Sequence, residues 1–435
     1  MPDLRRLLSG SRRNGLMFAD TAVNALTGVL LVAGAARHLG GRELAAFSLA
    51  QLVITMMVGI LRSAVYGPAM AAQRSTGRAV VPVDWAFSVS LPMALALAGL
   101  IVGIVPGLGG GGVTTFAALW AVAAVVLLQD GLRSALLSRE LPAWALAGDT
   151  LSFCALSIPL VLGLLPRAAL GVLESWAAAV ALGVVVSLVG LARARKGNYV
   201  RQSIVAAWKL GRWATLDATF AVVAYLLPMF VATIYVQSTA AGTYRVLQTA
   251  LGPLNIIQTT VVTVFGLDAW QTTSIEGLRS LQRKVKVLAV ALLVLAAGCS
   301  AAGLPLMVLI THLRDADLWR IGLIVAAHGT MTAVTTPFLA AAFALGYQKF
   351  GAVIRCVSLV VCVVVSLPIA GAQWVPWNDQ IGTAMLASSG LTLIGWLISY
   401  SSATRREEHA LAGEVPSLRP KRGTYLGRHR MDGPL

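Results

Sequence analysis

The chain has 435 residues, 57% of them hydrophobic and only 12% charged, with a mean hydropathy of +0.78. Soluble domains keep about a quarter of their residues charged, and one core cannot hold a dozen apolar runs of about 20 residues, so this is an integral membrane protein. The net charge of +16 would suggest nucleic acid in a soluble chain. Here the basic residues sit in loops and tails between the runs, where they set orientation, and no nucleic-acid partner is expected.

The fold class is therefore all-α integral membrane, with about 12 transmembrane helices in two pseudo-symmetric six-helix halves. The predicted spans are 15–36, 44–68, 85–106, 113–136, 143–165 and 172–191, then 214–236, 241–267, 287–310, 321–346, 352–371 and 384–400. Residues 1–14 form a basic N-terminal segment without a small-residue cleavage site, so the first run reads as a retained span. The first half covers 15–191, a basic linker 192–213, the second half 214–401, and a polar tail 402–435 is expected to be disordered. In the linker, Arg201, Lys209 and Arg212 share one side of a helix, which suits an interfacial helix resting on anionic headgroups.

Orientation follows from the loops. Arg5, Arg6, Arg12 and Arg13 precede the first span, and alternate loops carry Arg74, Arg78, Arg139, the basic linker, Arg279, Arg283, Lys284, Lys286, Lys349 and the tail. The opposite loops hold only Arg37, Arg42, Arg167, Arg314 and Arg320. This bias puts both termini in the cytoplasm of a multi-pass plasma-membrane protein. Trp144, Trp213, Trp270, Trp374 and Trp377 lie near predicted interfaces and suit anchoring. Pro92, Pro159, Pro228, Pro253 and Pro337 interrupt spans, either as static kinks or as points of bending in a transport cycle.

Chemistry is mostly absent. The Gly-rich stretch 107–112 lacks the Lys-Ser/Thr of a nucleotide loop, and no Ser/His/Asp or His-x-x-x-His arrangement occurs. No catalytic residue, metal or cofactor is expected, and Cys154, Cys299, Cys356 and Cys362 all fall in spans with no disulfide or metal spacing. His328 reads as a hydrogen-bonded core histidine rather than a proton carrier. Active transport would have to draw on an ion gradient or on the substrate's own gradient.

The informative residues are the charges inside spans, each costing roughly 2.5–3.5 kcal/mol at a bilayer centre unless it faces a cavity or partner. Asp20, Asp149 and Asp217 fall in first turns at the predicted cytoplasmic face, and Arg62 and Arg133 in last turns there. Helix-end electrostatics accounts for such positions. Asp130 and Arg133 share a helical face, and acids on odd spans could pair with bases on even spans across the bundle as a gate. The gate or ion-coupling candidates are thus Asp20, Asp217, Asp130 and Asp149. Arg245 differs, lying about 8 Å inside the external end of its span, where it could snorkel outward or meet an anionic substrate. Asp217, Tyr244 and Gln248 stand in register with Asp20, Phe47 and Gln51 at one constant offset, a weak echo between the halves.

Residues 40–50 (Gly-Gly-Arg-Glu-Leu-Ala-Ala-Phe-Ser-Leu-Ala) resemble the first external turn and second span of Wzx-type polysaccharide flippases. These belong to the multidrug/oligosaccharidyl-lipid/polysaccharide superfamily. Leu61-Arg62-Ser63-Ala64 with Gly67-Pro68, and residues 244–255 (Tyr-Arg-Val-Leu-Gln-Thr-Ala-Leu-Gly-Pro-Leu-Asn), continue the likeness. The cavity signatures of some relatives are not identifiable, which leaves the coupling ion open. The resemblance implies a bacterial flippase that exports a polyprenyl-diphosphate-linked oligosaccharide by alternating access. Its partners would be membrane lipids, the lipid-linked sugar and polysaccharide-assembly membrane proteins. Arg62, Arg245, Arg133 and Arg355 are then the candidates for the diphosphate, and Gln51 and Gln248 for the sugars. With depth considered, Gln51, Gln248 and Arg245 are the cavity candidates, and Asp20, Arg62, Asp149 and Asp217 belong to a cytoplasmic gate.

Other readings stay open. A small-molecule or multidrug antiporter of the same fold predicts an acidic cavity with bases outside it. A major facilitator transporter would carry Gly-x-x-x-Asp-Arg-x-Gly-Arg-Arg in its second-to-third loop, which this chain lacks. A polymerase or ligase would need a large external loop, and a scaffold would tolerate loss of the buried charges.

Overall fold

The computed structural model describes residues 2–67, 79–105, 112–194, 200–201, 204–235, 240–252, 254, 257–258, 274–311, 318–366 and 377–413. Eleven helical stretches among them are long and apolar enough to cross a membrane. In lipid a spanning segment must satisfy its own backbone, and helices do so internally.

The first half contains α1 (Pro2–His38), α2 (Gly41–Leu61), α3 (Val83–Ile104), α4 (Val113–Ser138), α5 (Pro142–Val161) and α6 (Ala169–Arg193). The second contains α7 (Ile204–Tyr235), α8 (Ala240–Thr249), α9 (Ile275–Thr311), α10 (Leu318–Ala344), α11 (Gln348–Ser366) and α12 (Trp377–Leu411). Most of the predicted eighth span beyond Thr249 lies outside the described residues.

One packing plan serves both sets. Helix α3 lies on α4, α4 on α6, α5 on α6 and α1 on α5; six helices on, α9 lies on α10, α10 on α12, α11 on α12 and α7 on α11. The seam between the sets is made by α2 against α7 and α8, and by α1 against α8 and α9. Its apolar filling is continuous with the core of the first half, since Tyr244 and Leu247 of α8 and Leu251 just past its end join Leu31, Phe47 and Leu49 in one cluster. Side chains such as Trp319, Leu323, Val294 and Ile398 are exposed on the outer surface, as a lipid-facing surface requires.

Local chemistry fixes the helix ends near the site. Gly40, in extended backbone, starts α2, and the Glu43 carboxylate accepts the Ala169 amide at 2.7 Å, tying the start of α2 to the start of α6. At its other end α2 runs into a π-helical turn, Arg62–Tyr66. The Gly67 amide donates back to the Arg62 carbonyl, and a Cβ at Gly67 would meet that oxygen at 2.8 Å, so the turn needs glycine there.

Two expectations are corrected. The tail does not become irregular at residue 402: α12 continues to Leu411, with Thr404 and Glu407 buried and Glu408 accepting from Gln282 of α9 at 3.3 Å. This turn of sequence packs because α9 also overshoots its predicted span, beginning at Ile275. The linker is not one interfacial helix either. Val200 and Arg201 pair in parallel with Ala79 and Val80, and helix resumes at Ile204 in unbroken continuity with α7.

The anchoring tryptophans that are described take basic partners. The Arg193 guanidinium lies 5.6 Å from the Trp144 ring, and Arg212 and Lys349 each lie 5.6 Å from Trp213. Trp270 and Trp374, the Trp377 side chain and Pro253 lie outside the description, as do Arg74, Arg78 and the Gly-rich stretch before Gly112. Pro92, Pro159, Pro228 and Pro337 sit inside helices as expected, joined by Pro305 in α9. The four cysteines are free.

Candidate functional site

In the first half the charges predicted near the cytoplasmic face converge on Arg133 of α4. Its Nε donates to Asp20 Oδ2 of α1 at 2.7 Å, and Nη2 lies 2.5 Å from the same oxygen. Nε also lies 3.4 Å from Asp149 Oδ2 of α5. Asp149 accepts in addition from Gln129 (3.2 Å) and Asn24 (3.3 Å), and Ser187 of α6 donates to Gln129 at 3.4 Å. Asp20, Arg133 and Asp149 are all buried. A buried charge keeps its ionised form only with partners and hydrogen bonds around it, and this network supplies both.

The close approach of α5 to α6 makes the network possible. A Cβ on Gly183 would meet the Gly148 carbonyl at 2.9 Å and the Ser152 hydroxyl at 2.4 Å, so glycine at this crossing lets Gln129 reach Asp149 and Ser187 reach Gln129. One turn back along α4, Asp130 takes Arg62 of the π turn, whose Nε donates to Oδ1 at 2.9 Å and whose Nη2 contacts it as well. Asp20 Oδ1 and Asp130 Oδ2 are buried without a hydrogen-bond partner. The cluster thus sets three carboxylates against two guanidiniums.

The second half answers with one pair. Asp217 of α7 faces Arg355 of α11, Nε to Oδ1 at 3.4 Å, and Arg355 Nη1 donates to Thr392 of α12 at 3.2 Å. The register echo between Asp20 and Asp217 therefore holds in kind, each acid meeting an arginine. It fails in partner, because Arg133 comes from the fourth helix of its set and Arg355 from the fifth.

The expected pairing of odd-span acids with even-span bases forms in part, in Asp20–Arg133 and Asp149–Arg133. Asp20–Arg133, Asp149–Arg133 and Arg62–Asp130 close within the first half and Asp217–Arg355 within the second. Odd spans do not supply all the acids of these pairs, nor even spans all the bases, since Asp130 lies on α4 and Arg355 on α11. Nearest the seam is Arg62, because its π turn packs against α7.

Arg245 behaves differently. From α8 it crosses the seam and donates through Nε (3.1 Å) and Nη2 (2.7 Å) to the one side-chain oxygen of Gln51 on α2. The Tyr225 hydroxyl of α7 lies beside it. Among the described residues no carboxylate pairs with it, unlike Arg62, Arg133 and Arg355. Three residues on, Gln248 shares its face and is buried at 8% exposure with both side-chain polar atoms lacking a partner. Ser48, which holds the register position of Arg245 in the first half, is also buried with its hydroxyl unpaired. Among the described residues the seam helices α2 and α8 thus carry a cation without an acid partner, an orphaned amide and an orphaned hydroxyl.

Near this group, His328 Nδ1 lies 2.6 Å from the Ser389 hydroxyl, matching the hydrogen-bonded histidine expected from sequence. Sequence reasoning did not single out Asn24, Gln129, Ser187, Tyr225, Ser48, Ser389 or Thr392. Asn24 stands one turn from Asp20 and Gln129 beside Asp130, so polarity inside apolar runs was the available signal. Among the described residues no group of histidines, cysteines and carboxylates is arranged to hold a metal ion.

No protein-family model and no curated protein matches the sequence. Solved structures do match in shape. An outward-facing multidrug resistance MATE family transporter of the MOP superfamily superposes with a TM-score of 0.64 at 12% identity, over 93% of this chain and 96% of its own. An inward-facing structure of such a transporter gives 0.58 at 13% identity, over 90% and 96%. A eukaryotic MATE transporter gives 0.53 at 12%, over 93% and 99%. The all-helical membrane fold expected from the sequence is that of MATE transporters.

Proposed function

We propose that the chain is an alternating-access membrane transporter whose two six-helix sets rock about the α1/α2–α7/α8 seam, and that it carries an anionic amphiphile across the plasma membrane. The observation that carries this reading is Arg245, a seam cation that no acid holds among the described residues, with the unpaired Gln248 on its own helix face and the unpaired Ser48 on α2. A partly buried guanidinium whose partners among the described residues are Gln51 and Tyr225 favours an anion, and the orphaned amide and hydroxyl favour a hydroxyl-rich neighbour to it. A polyprenyl-diphosphate-linked oligosaccharide combines these, with its tail left in lipid. Alternating access is supported by solved neighbours of the same fold described in outward- and inward-facing states.

The carboxylate–arginine groups serve in this account as ion-coupling and stiffening elements within each half, with both termini in the cytoplasm. Arg62, Arg133 and Arg355 are drawn away from the substrate by their carboxylates, so the diphosphate contact narrows to Arg245.

A second reading, export of small multidrug-type solutes, is supported by those neighbours, which are described as multidrug resistance transporters. The sign of the seam charge separates the two, because a cationic drug would be repelled by Arg245. The test is flipping of a fluorescent farnesyl-diphosphate-linked N-acetylglucosamine in proteoliposomes. Wild type should flip it, Arg245→Ala should raise KM at least about tenfold, and cationic dyes should not compete. Competition by a cationic dye with no effect of Arg245→Ala would favour the drug reading.

A further inference from the structure

The starts of α7 and α11 meet at the predicted cytoplasmic end of the second half. Helix α7 begins at Ile204, ahead of the membrane-spanning stretch that starts at Gly211, and α11 begins at Gln348. The two helices pack on each other. Arg212 of α7 and Lys349 of α11 converge on one half-buried indole, each 5.6 Å from the Trp213 ring. Both cations are exposed, as is Lys209, three residues before Arg212 and on its side of the helix.

This charge has no counterpart nearby. Among the described residues neither Arg212 nor Lys349 takes part in an ion pair. Residues 175–216 and 318–378, which include both helix starts and the segments before them, contain neither Asp nor Glu. Asp217, the acid on α7, is buried and paired with Arg355. An indole face attracts cations through its quadrupole but carries no net charge, so two cations gathered at one ring stay uncompensated. They stand no farther apart than twice their distance to the ring. That suits one phosphate held from two sides, by the fork of a guanidinium and the point charge of an ammonium.

Apolar surface continues from the same place. Phe350, Val353 and Val357 of α11 and Leu216 and Val223 of α7 are exposed at helical spacing, and Trp208 is exposed beside Lys209. Acyl chains lying along these side chains bring their headgroup to Arg212 and Lys349. A soluble anion would use the cations and leave the apolar surface unmatched. A zwitterionic lipid would bring its own ammonium among three cations, so the charge favours a lipid of net negative charge.

We propose that the junction of α7 and α11 binds one anionic phospholipid, its phosphate held by Arg212 and Lys349 beside Trp213 and its acyl chains along the exposed apolar side chains of the two helices. Deeper in the membrane Asp217 and Arg355 join the same helices, so the phosphate supplies a second tie between them at the surface. The site does not depend on what the transporter carries.

The experiment counts lipids retained by the full chain in native mass spectrometry, from micelles holding equal phosphatidylglycerol and phosphatidylcholine of matched acyl chains. Wild type should retain one phosphatidylglycerol with about tenfold preference. Arg212→Gln with Lys349→Gln, both exposed positions, should bring the preference close to parity. Arg279→Gln with Arg283→Gln removes the same charge from exposed positions on α9 at the same predicted face and should leave the preference intact. Glycerol 3-phosphate, which has the phosphate without the chains, should not displace the lipid. Absence of a preference in wild type, its equal loss in both double variants, or displacement by glycerol 3-phosphate overturns the proposal.

Discussion

Arg245 and Gln51 join the two halves through a pair of hydrogen bonds that end on one oxygen, at 3.1 and 2.7 Å. Because the donors and the acceptor belong to different six-helix sets, this contact must break whenever the seam parts on that side. Gln51→Leu should therefore shift the protein toward states open at α2–α8. Labelling of a cysteine placed at Ser48, buried at 3% exposure, should speed up several-fold in that background.

The same seam can be locked. A Cβ built on Gly242 of α8 lies 3.0 Å from Leu44 Cγ and 3.5 Å from the Ala45 amide nitrogen of α2. In a chain whose four native cysteines are replaced by serine or alanine, Leu44→Cys with Gly242→Cys should form a disulfide on oxidation. Transport of the farnesyl-diphosphate sugar should stop and return on reduction. Each single cysteine should transport under both conditions.

Arg133 is the centre of the first-half network, so its loss strands two buried acids. Arg133→Met should lower stability by about 3–5 kcal/mol, the cost of breaking a buried pair from one side. Adding Asp20→Asn should recover part of this, read as the thermal midpoint in detergent. Arg62→Ala should cost less, about 1–3 kcal/mol, because that side chain is 36% exposed although its loss strands Asp130 at 7%.

Much of the fold could be read from the sequence because a span is a local property: about 20 apolar residues suffice to identify one. The intramembrane acids and arginines were legible for the same reason, their expense marking them out. Their pairing was not, because nothing local says that α1 packs on α5 so that Asp20 meets Arg133 of α4. The expected pairing of odd-span acids with even-span bases held for Asp20 and Asp149 with Arg133 and failed for Arg62–Asp130 and Asp217–Arg355. The π turn at Arg62 and the overrun of α9 and α12 past the bilayer length also escaped. In those segments charged residues such as Glu407 and Glu408 look like solvent-exposed loop, and only the facing helix reveals them as packed.

That overrun has its own test. Truncation after Gly413 should leave the thermal midpoint unchanged. Truncation after Ser402 removes Glu407, Glu408 and Leu411 from the end of α9 and should lower it by several degrees.

The central claim is that the two six-helix sets move against each other at the α2–α8 seam. Spin labels at Gly40, where a side chain meets open space, and at the exposed Trp319 mark the predicted external ends of the two sets. Pulsed electron–electron distance measurements in nanodiscs should give two separations, the longer gaining population in Gln51→Leu and changing its share when farnesyl diphosphate is added. One separation, unchanged by either, would contradict the account.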